Sequence, residues 1–143
     1  MAALLSACTP YALKPYATDG CSLFPDRSLM GNGDWCECCA AHDLAYWRGG
    51  TEAERLAADQ ALRACVTRRT GDPLLAETMY TGVRAGGSAW FPTWYRWGYG
   101  WTYGRGYTAL DPGEQALAAR LEQEYRAQPP KACGVVELDL TPP

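Results

Sequence analysis

The sequence lacks several features that particular classes of protein require. It has a single histidine, His42, so mechanisms and metal sites that need two histidines are excluded. Its formal net charge is −3, so it lacks the excess of basic residues that neutralises phosphates in nucleic-acid-binding proteins. No apolar run approaches the roughly 20 residues that span a bilayer. No segment of useful length alternates polar and apolar residues, so we expect a mainly α-helical protein.

Cysteine, by contrast, is abundant, with seven among 143 residues. This frequency indicates an oxidising compartment, so we expect an exported protein with several disulfides. A zinc protein is the competing interpretation, because Cys36, Cys38, Cys39 and His42 supply enough ligands. Adjacent cysteines on a helix point about 100° apart, however, and this spacing fits no usual tetrahedral pattern.

The N-terminal segment Leu5-Ser6-Ala7-Cys8 resembles a bacterial lipoprotein signal, in which the cysteine is acylated. No basic stretch precedes it and its apolar run is short, so the numbering begins inside a precursor or the match is accidental. Without Cys8, six cysteines remain for three disulfides. We expect residues 1–18 to be a truncated signal and linker and residues 19–143 to be one domain. The expected location is the bacterial periplasm, the outer membrane as a lipoprotein, or the exterior.

Capping and stop signals predict four helices. Each start is an N-cap side chain followed by glutamate three residues later or directly by proline, and the stops are paired glycines or prolines. The predicted helices begin at 34, 51, 73 and 112 and end at about 48, about 69, 86 and before 129. Residues 88–110 form an aromatic, glycine-rich loop region. The signals are Asp34 with Glu37, Gly49-Gly50, Thr51 with Glu54, Asp72-Pro73, Gly86-Gly87, Asp111-Pro112 and Pro129-Pro130.

Two ionisable side chains face inward on the hairpin that the first two helices form. At 100° per residue, His42 falls on the buried stripe of the first helix and Asp59 on the apolar stripe of the second. A buried carboxylate is costly unless it is paired, and the chain has one histidine to pair it. A Cys38–Cys65 disulfide would leave His42 and Asp59 about 3 Å apart along the hairpin axis. The alternative is a purely structural buried pair. The stripes comprise Trp35, Cys38, Cys39, Ala45 and Tyr46, and Leu56, Leu62 and Val66.

The segment Cys38-Cys39-Ala40-Ala41-His42-Asp43-Leu44-Ala45-Tyr46 resembles the Cys-Cys-x-x-His-Asp-x-Cys-Tyr signature of secreted phospholipases A2. Ala58-Asp59 followed by Cys65 is similar to the second helix of that family. Asp19-Gly20-Cys21-Ser22 occupies the place of its calcium loop. The resemblance covers about residues 19–66 and implies a divergent phospholipase A2-like domain. Ala45 and Ala58 replace two family cysteines that bond to each other, so both members of that pair are absent together.

The resemblance implies the disulfides Cys38–Cys65 and Cys21–Cys39, which leaves Cys36 and Cys133 to pair with each other. It also implies a role for each polar residue of the hairpin. His42 would act as general base on a water, Asp59 would orient the imidazole, and Tyr46 would bond to Asp59. Asp43 would be a calcium ligand.

The expected cofactor is Ca²⁺, bound by Asp43 and the backbone carbonyls of Gly20, Ser22 and Phe24. This loop has fewer glycines than the family loop, in which glycines let consecutive carbonyls converge on the ion. Asp26 could contribute instead, or the loop does not bind calcium.

The aromatic segment has two interpretations. Trp and Tyr favour the headgroup region of bilayers, so the segment could dock on lipid. Alternatively, its rings form a structural shell over the hairpin, while stacking on single-stranded nucleic acid is a remoter option. No acidic residue lies between Thr78 and Leu110. The segment contains Trp90, Trp94, Trp97, Trp101, Tyr95, Tyr99, Tyr103 and Tyr107, and the basic residues are Arg84, Arg96 and Arg105.

The resemblance therefore implies calcium-dependent hydrolysis of an acyl ester in a glycerophospholipid, with phospholipid or a membrane surface as the partner. The alternative is a non-catalytic, disulfide-stapled envelope lipoprotein that acts as a lipid-binding or protein-interaction module.

Overall fold

A computed structural model describes residues 11–18, 34–129 and 133. Within these ranges the chain forms four helices, and its extended pairing is limited to isolated bridges such as that between Leu13 and Trp101. The predicted mainly α-helical fold is confirmed. No helix in the described ranges is long and apolar enough to cross a bilayer. The helices are α1 (Cys36–Arg48), α2 (Glu52–Thr70), α3 (Pro73–Gly86) and α4 (Pro112–Arg126).

Three of the four helix starts follow the predicted capping signals. Thr51 and Asp111 each form a complete capping box with a glutamate three residues later. Asp72 accepts a hydrogen bond from the backbone N–H of Leu75. These side chains satisfy N–H groups that have no partner within the helix, so each start is fixed by local chemistry.

The start of α1 differs from the prediction. Its N-cap is Trp35, which makes no side-chain capping bond, so the predicted capping box of Asp34 and Glu37 is wrong. Asp34 instead accepts a hydrogen bond of 3.0 Å from the backbone N–H of Cys36. Glu37 is directed across the hairpin, where it pairs with Arg69 of α2.

The turn between α1 and α2 depends on two glycines. Gly49 and Gly50 have φ values of 68° and 134°, in the region that glycine alone adopts without strain. A Cβ at Gly49 would also lie 2.9 Å from the Cα of Gly98. The two helices consequently pack against each other as the predicted antiparallel hairpin, which the Cys38–Cys65 disulfide joins.

The buried stripe of α2 is displaced from the predicted one. It comprises Arg55, Asp59, Leu62 and Val66 and faces both α1 and α3. Its centre lies about 30° from Asp59 on the side away from Leu56. Leu56 was expected to be buried, but it is 38% exposed because it lies about 90° from this centre.

The described cysteines are all in disulfides. Cys36–Cys133 and Cys38–Cys65 are present as predicted. Cys39 is also disulfide-bonded, and its predicted partner Cys21 lies outside the described residues, as does Cys8. Disulfide sulfurs are not the thiolates that zinc requires. The described part of the chain contains no group of three potential metal-ligating side chains, which argues against the zinc interpretation.

The described part of the expected N-terminal linker is packed into the domain. The backbone N–H of Lys14 donates to the carbonyl of Gly100, and the Lys14 carbonyl accepts from the indole of Trp47. Tyr16 is buried against Trp47 and Tyr125. Residues 11–18 therefore connect α1, α4 and the aromatic loop.

Part of the aromatic loop is a structural shell that closes the C-terminal end of α1. The amides of Gly98 and Gly100 donate to the carbonyls of Tyr46 and Trp47, and the indole of Trp101 donates to the carbonyl of Arg48. The indole of Trp97 reaches the hairpin turn, where it donates to the carbonyl of Gly50. Last-turn carbonyls have no partners within a helix, so the loop supplies their donors.

Four other aromatic side chains of this loop are exposed to solvent, whereas Tyr95, Tyr99 and Tyr107 are partly buried. Trp90, Phe91, Trp94 and Tyr103 are exposed, and we call them the aromatic patch. Tyr103 links the patch internally by donating to the carbonyl of Trp90. The segment is therefore divided between shell and exposed patch. The arginines of the loop and Arg84 at the end of α3 have internal partners. Arg96 bonds to the carbonyls of Gly98 and Trp101, Arg105 to Glu114, and Arg84 to Asp59.

Candidate functional site

The hairpin brings His42 and Asp59 into direct contact. Nε2 of His42 lies 2.7 Å from Oδ1 of Asp59, a hydrogen-bonding distance. The Asp59 side chain is 0% exposed and that of His42 is 8% exposed. The predicted facing of these two residues is therefore present in the structure, with the imidazole at the outer edge of a buried cluster.

Tyr46 is the second donor to the same carboxylate oxygen. Its hydroxyl donates to Oδ1 of Asp59 at 2.7 Å, from a position one helical turn after His42. Burial and the nearby charge of Asp59 raise the pKa of Tyr46 above its usual value. The phenol consequently remains protonated and can only donate to the carboxylate.

Two arginines that the sequence analysis did not identify complete the surroundings of Asp59. Nη1 of Arg84, from α3, donates to Oδ2 at 2.7 Å, and Nε of Arg55 lies 3.8 Å from the same oxygen. Arg55 stands four residues before Asp59, on the same helix face, so an i,i+4 charge pair was visible in the sequence. Arg84 gave no such signal, because only the packing of α3 on α2 brings it near.

These donors keep Asp59 ionised. Burial alone would raise the pKa of Asp59, but hydrogen bonds from His42, Arg84 and Tyr46 outweigh it and lower the pKa below its ordinary value. An ionised carboxylate accepts hydrogen bonds only, so we assign the proton of neutral His42 to Nε2. In this tautomer Nδ1 carries the lone pair that a general base needs.

Asp43 follows His42 on α1, but its side chain lies outside the cluster around Asp59 and contacts Thr18. Its Oδ2 accepts a hydrogen bond of 2.6 Å from the hydroxyl of Thr18. Its carboxylate is a hard oxygen donor of the type that calcium prefers. The other predicted ligands, Gly20, Ser22 and Phe24, and the alternative Asp26 lie outside the described residues. Asp43 and Thr18 line a cavity of about 420 Å³ together with Lys14, Pro15, Ala17, Trp94, Tyr95 and Tyr99.

No family model, curated protein or solved structure matches this chain. The functional argument therefore depends on the geometry around Asp59 and on the motif that contains His42.

Proposed function

We propose that the chain is a phospholipase A2-type hydrolase that cleaves an acyl ester of a glycerophospholipid. The observation that carries this proposal is the 2.7 Å contact between the chain's one imidazole and a fully buried carboxylate. His42 belongs to the Cys-Cys-x-x-His-Asp pattern that resembles the phospholipase A2 signature. A pair that fixes the tautomer and orientation of an imidazole is what general-base catalysis requires.

In the proposed reaction, Nδ1 of His42 takes a proton from a water whose oxygen bonds to the ester carbonyl carbon. Asp59 stays ionised and stabilises the imidazolium that forms. The imidazolium then returns the proton to the departing glycerol oxygen as the ester C–O bond breaks. The products are a fatty acid and a lysophospholipid.

Calcium fits the chemistry of the one predicted ligand side chain in the described ranges. Asp43, with the carbonyls of Gly20, Ser22 and Phe24, would hold the ion, which would supply Lewis-acid stabilisation of negative charge on the substrate.

The purely structural interpretation of the His42–Asp59 pair is less consistent with its surroundings. Asp59 already has two cationic neighbours, Arg84 and Arg55, so the protein does not need an imidazole to compensate the buried charge. The His42 side chain also keeps 8% of its surface exposed, and a proton acceptor must be reachable by water.

The aromatic patch supports a phospholipid surface as the partner. Trp and Tyr side chains favour the headgroup region of bilayers, and Trp94 both belongs to the patch and lines the cavity beside Asp43. Arg96 and Arg105 of the loop and Arg84 of α3 have internal partners, so we expect docking to depend on aromatic burial rather than on anionic lipid. Zwitterionic phosphatidylcholine should therefore suffice.

The experiment measures fatty-acid release from phosphatidylcholine vesicles, with calcium or with a chelator, by the wild type and His42→Gln. We expect release to require calcium and to fall at least about 100-fold in His42→Gln, because a positioned general base contributes that much or more. Vesicle sedimentation and circular dichroism should be unchanged and serve as controls for docking and folding. Undiminished release by His42→Gln would remove His42 from its proposed role.

Calorimetric titration of calcium separates the two candidate functions. The wild type should release or absorb heat and Asp43→Asn should not, because the substitution removes the proposed anionic ligand. No heat in either protein, together with vesicle binding but no fatty-acid release, would favour the non-catalytic lipid-binding module.

Export is also proposed, because the disulfides of the chain require an oxidising environment to form and persist. The periplasm, the outer membrane and the exterior all meet this condition, and acylation of Cys8 stays a prediction.

A further inference from the structure

Arg84 connects α3 to the carboxylate that contacts His42. The two oxygens of Asp59 have separate partners. Oδ1 receives His42 Nε2 and the Tyr46 hydroxyl, whereas Oδ2 receives Arg84 Nη1, each at 2.7 Å. The carboxylate is therefore bonded on both sides, with the candidate general base on one side and a guanidinium on the other.

The position of Arg84 is itself fixed by Arg55. Nη2 of Arg55 donates to the carbonyls of Val83 and Arg84, each at 2.9 Å. These carbonyls belong to the last turn of α3, and that of Val83 also accepts a hydrogen bond from the backbone N–H of Gly87. Nε of Arg55 donates to the hydroxyl of Tyr46 at 3.1 Å, so one buried side chain ties the end of α3 to α1.

The torsion that orients a carboxylate is broad, so the two oxygens are not fixed by the side chain's own preferences. Without Arg84, the nearest remaining charged donor to Oδ2 in the described ranges would be Arg55 Nε, 3.8 Å away. Turning Asp59 to shorten that contact would move Oδ1 from its place beside His42. The short bond from Arg84 opposes this rotation.

We propose that Arg84 is a positioning residue that fixes the orientation of Asp59 and, through it, of His42. The catalytic consequence rests on the proposed function, whereas the effect on the orientation of Asp59 does not. Arg84 acts through Asp59 and takes no direct part in the chemistry. The Arg84 side chain is 28% exposed, so water can reach the space beside Asp59 when this side chain is replaced by a shorter or uncharged one.

The test compares Arg84→Met, Arg84→Lys and a matched control, Arg63→Met. Arg63 of α2 also pairs with a carboxylate of α3, that of Glu77, at 3.1 Å. Both of these side chains are more exposed to solvent than Asp59 and Arg84. We expect Arg84→Met to lower kcat about 10- to 100-fold with KM within about twofold, because a misplaced catalytic group loses rate rather than affinity. Arg84→Lys keeps a charged donor and should recover to within about threefold of wild type. Arg63→Met should match the wild type.

Nuclear magnetic resonance gives a readout that does not need activity. The chain has one histidine, so the imidazole N–H resonance is unambiguous. The Nε2 proton should be protected from solvent exchange and visible in the wild type, Arg84→Lys and Arg63→Met. In Arg84→Met it should be lost through exchange. Thermal unfolding establishes that each variant is folded, and Arg84→Gln replaces Arg84→Met if the latter is not.

Wild-type kcat together with a retained N–H resonance in Arg84→Met would overturn the proposal. Equal losses in Arg84→Met and Arg63→Met would also overturn it, because they would reflect general loosening of α3. If the wild type hydrolyses no ester but the resonance is lost only in Arg84→Met, the positioning role stands and the proposed function fails.

Discussion

Replacing Asp59 by asparagine tests the central contact network with little change of shape. The substitution removes a negative charge from a side chain that is fully buried. The carboxylate accepts three hydrogen bonds of 2.7 Å, from His42, Tyr46 and Arg84. Asparagine offers one carbonyl oxygen in place of two carboxylate oxygens, and its amide group would face at least one donor.

The expected cost follows from these contacts. Removing one partner of a buried ion pair costs about 3–5 kcal/mol, and each hydrogen bond to a charged group contributes about 1.5–3 kcal/mol. These values describe the same interactions, so they are not added. Arg84 can turn partly toward water, which lowers the loss, whereas Arg55 stays buried. We expect Asp59→Asn to lower the free energy of unfolding by about 3–4 kcal/mol at pH 7.

The pH dependence of this difference has a definite sign. The pKa of Asp59 in the folded protein lies below its ordinary value, so the ionised carboxylate is more favourable in the folded state than in the unfolded state. The stabilisation is complete above the unfolded pKa of about 3.9 and is lost as the pH falls through the lowered folded value. The difference in the free energy of unfolding between wild type and Asp59→Asn should therefore become smaller at strongly acidic pH.

Urea unfolding followed by far-ultraviolet circular dichroism, with disulfides intact, measures both quantities. Asp72→Asn is the control, because Asp72 caps α3 by accepting from Leu75 and asparagine caps equally well. It should change stability by less than about 0.5 kcal/mol. A loss below about 1 kcal/mol in Asp59→Asn at pH 7, or a difference that does not become smaller in acid, would refute the reasoning.

Two further substitutions address the framework of the site. Removing the Cys38–Cys65 disulfide by a double change to alanine should cost about 3–4 kcal/mol in urea unfolding, since its sequence separation is 27 residues; a cost under about 1 kcal/mol would contradict this. Gly87→Ala would place a Cβ 2.7 Å from the ring of Tyr46. It should cost about 1–3 kcal/mol and disturb the Tyr46–Asp59 bond, visible as a changed His42 resonance, whereas an unchanged spectrum would show that the ring adapts.

The elements that could be predicted are those specified by neighbouring residues. Thr51, Asp72 and Asp111 cap helices by bonding to amides three residues ahead, so the sequence alone locates these starts. The contact of His42 with Asp59 could be predicted because helical periodicity and the glycine turn determine both the faces and the register of a short hairpin. Such predictions leave few conformations of the backbone to consider, because each concerns one helix start or one short hairpin.

The features that escaped prediction depend on packing between distant segments. Arg84 reaches Asp59 across 25 positions, and its long side chain could point in many directions until α3 packs on α2. The loop at 88–110 has no periodicity to separate buried Trp97 and Trp101 from exposed Trp90 and Trp94. The indoles that turn inward are those that donate to carbonyls at the end of α1 and in the hairpin turn, Trp101 to Arg48 and Trp97 to Gly50.

Those carbonyls also determine where the chain tolerates change. With Gly49, the shell residues supply donors to all four carbonyls of residues 45–48, so the irregular segment and the helix that carries His42 should open as one cooperative unit. Lengthening the chain between 98 and 101 would expose the end of that helix. The sharp bend at Gly71, with no atom within 4 Å of an added Cβ, is the better position for a grafted peptide or for new termini.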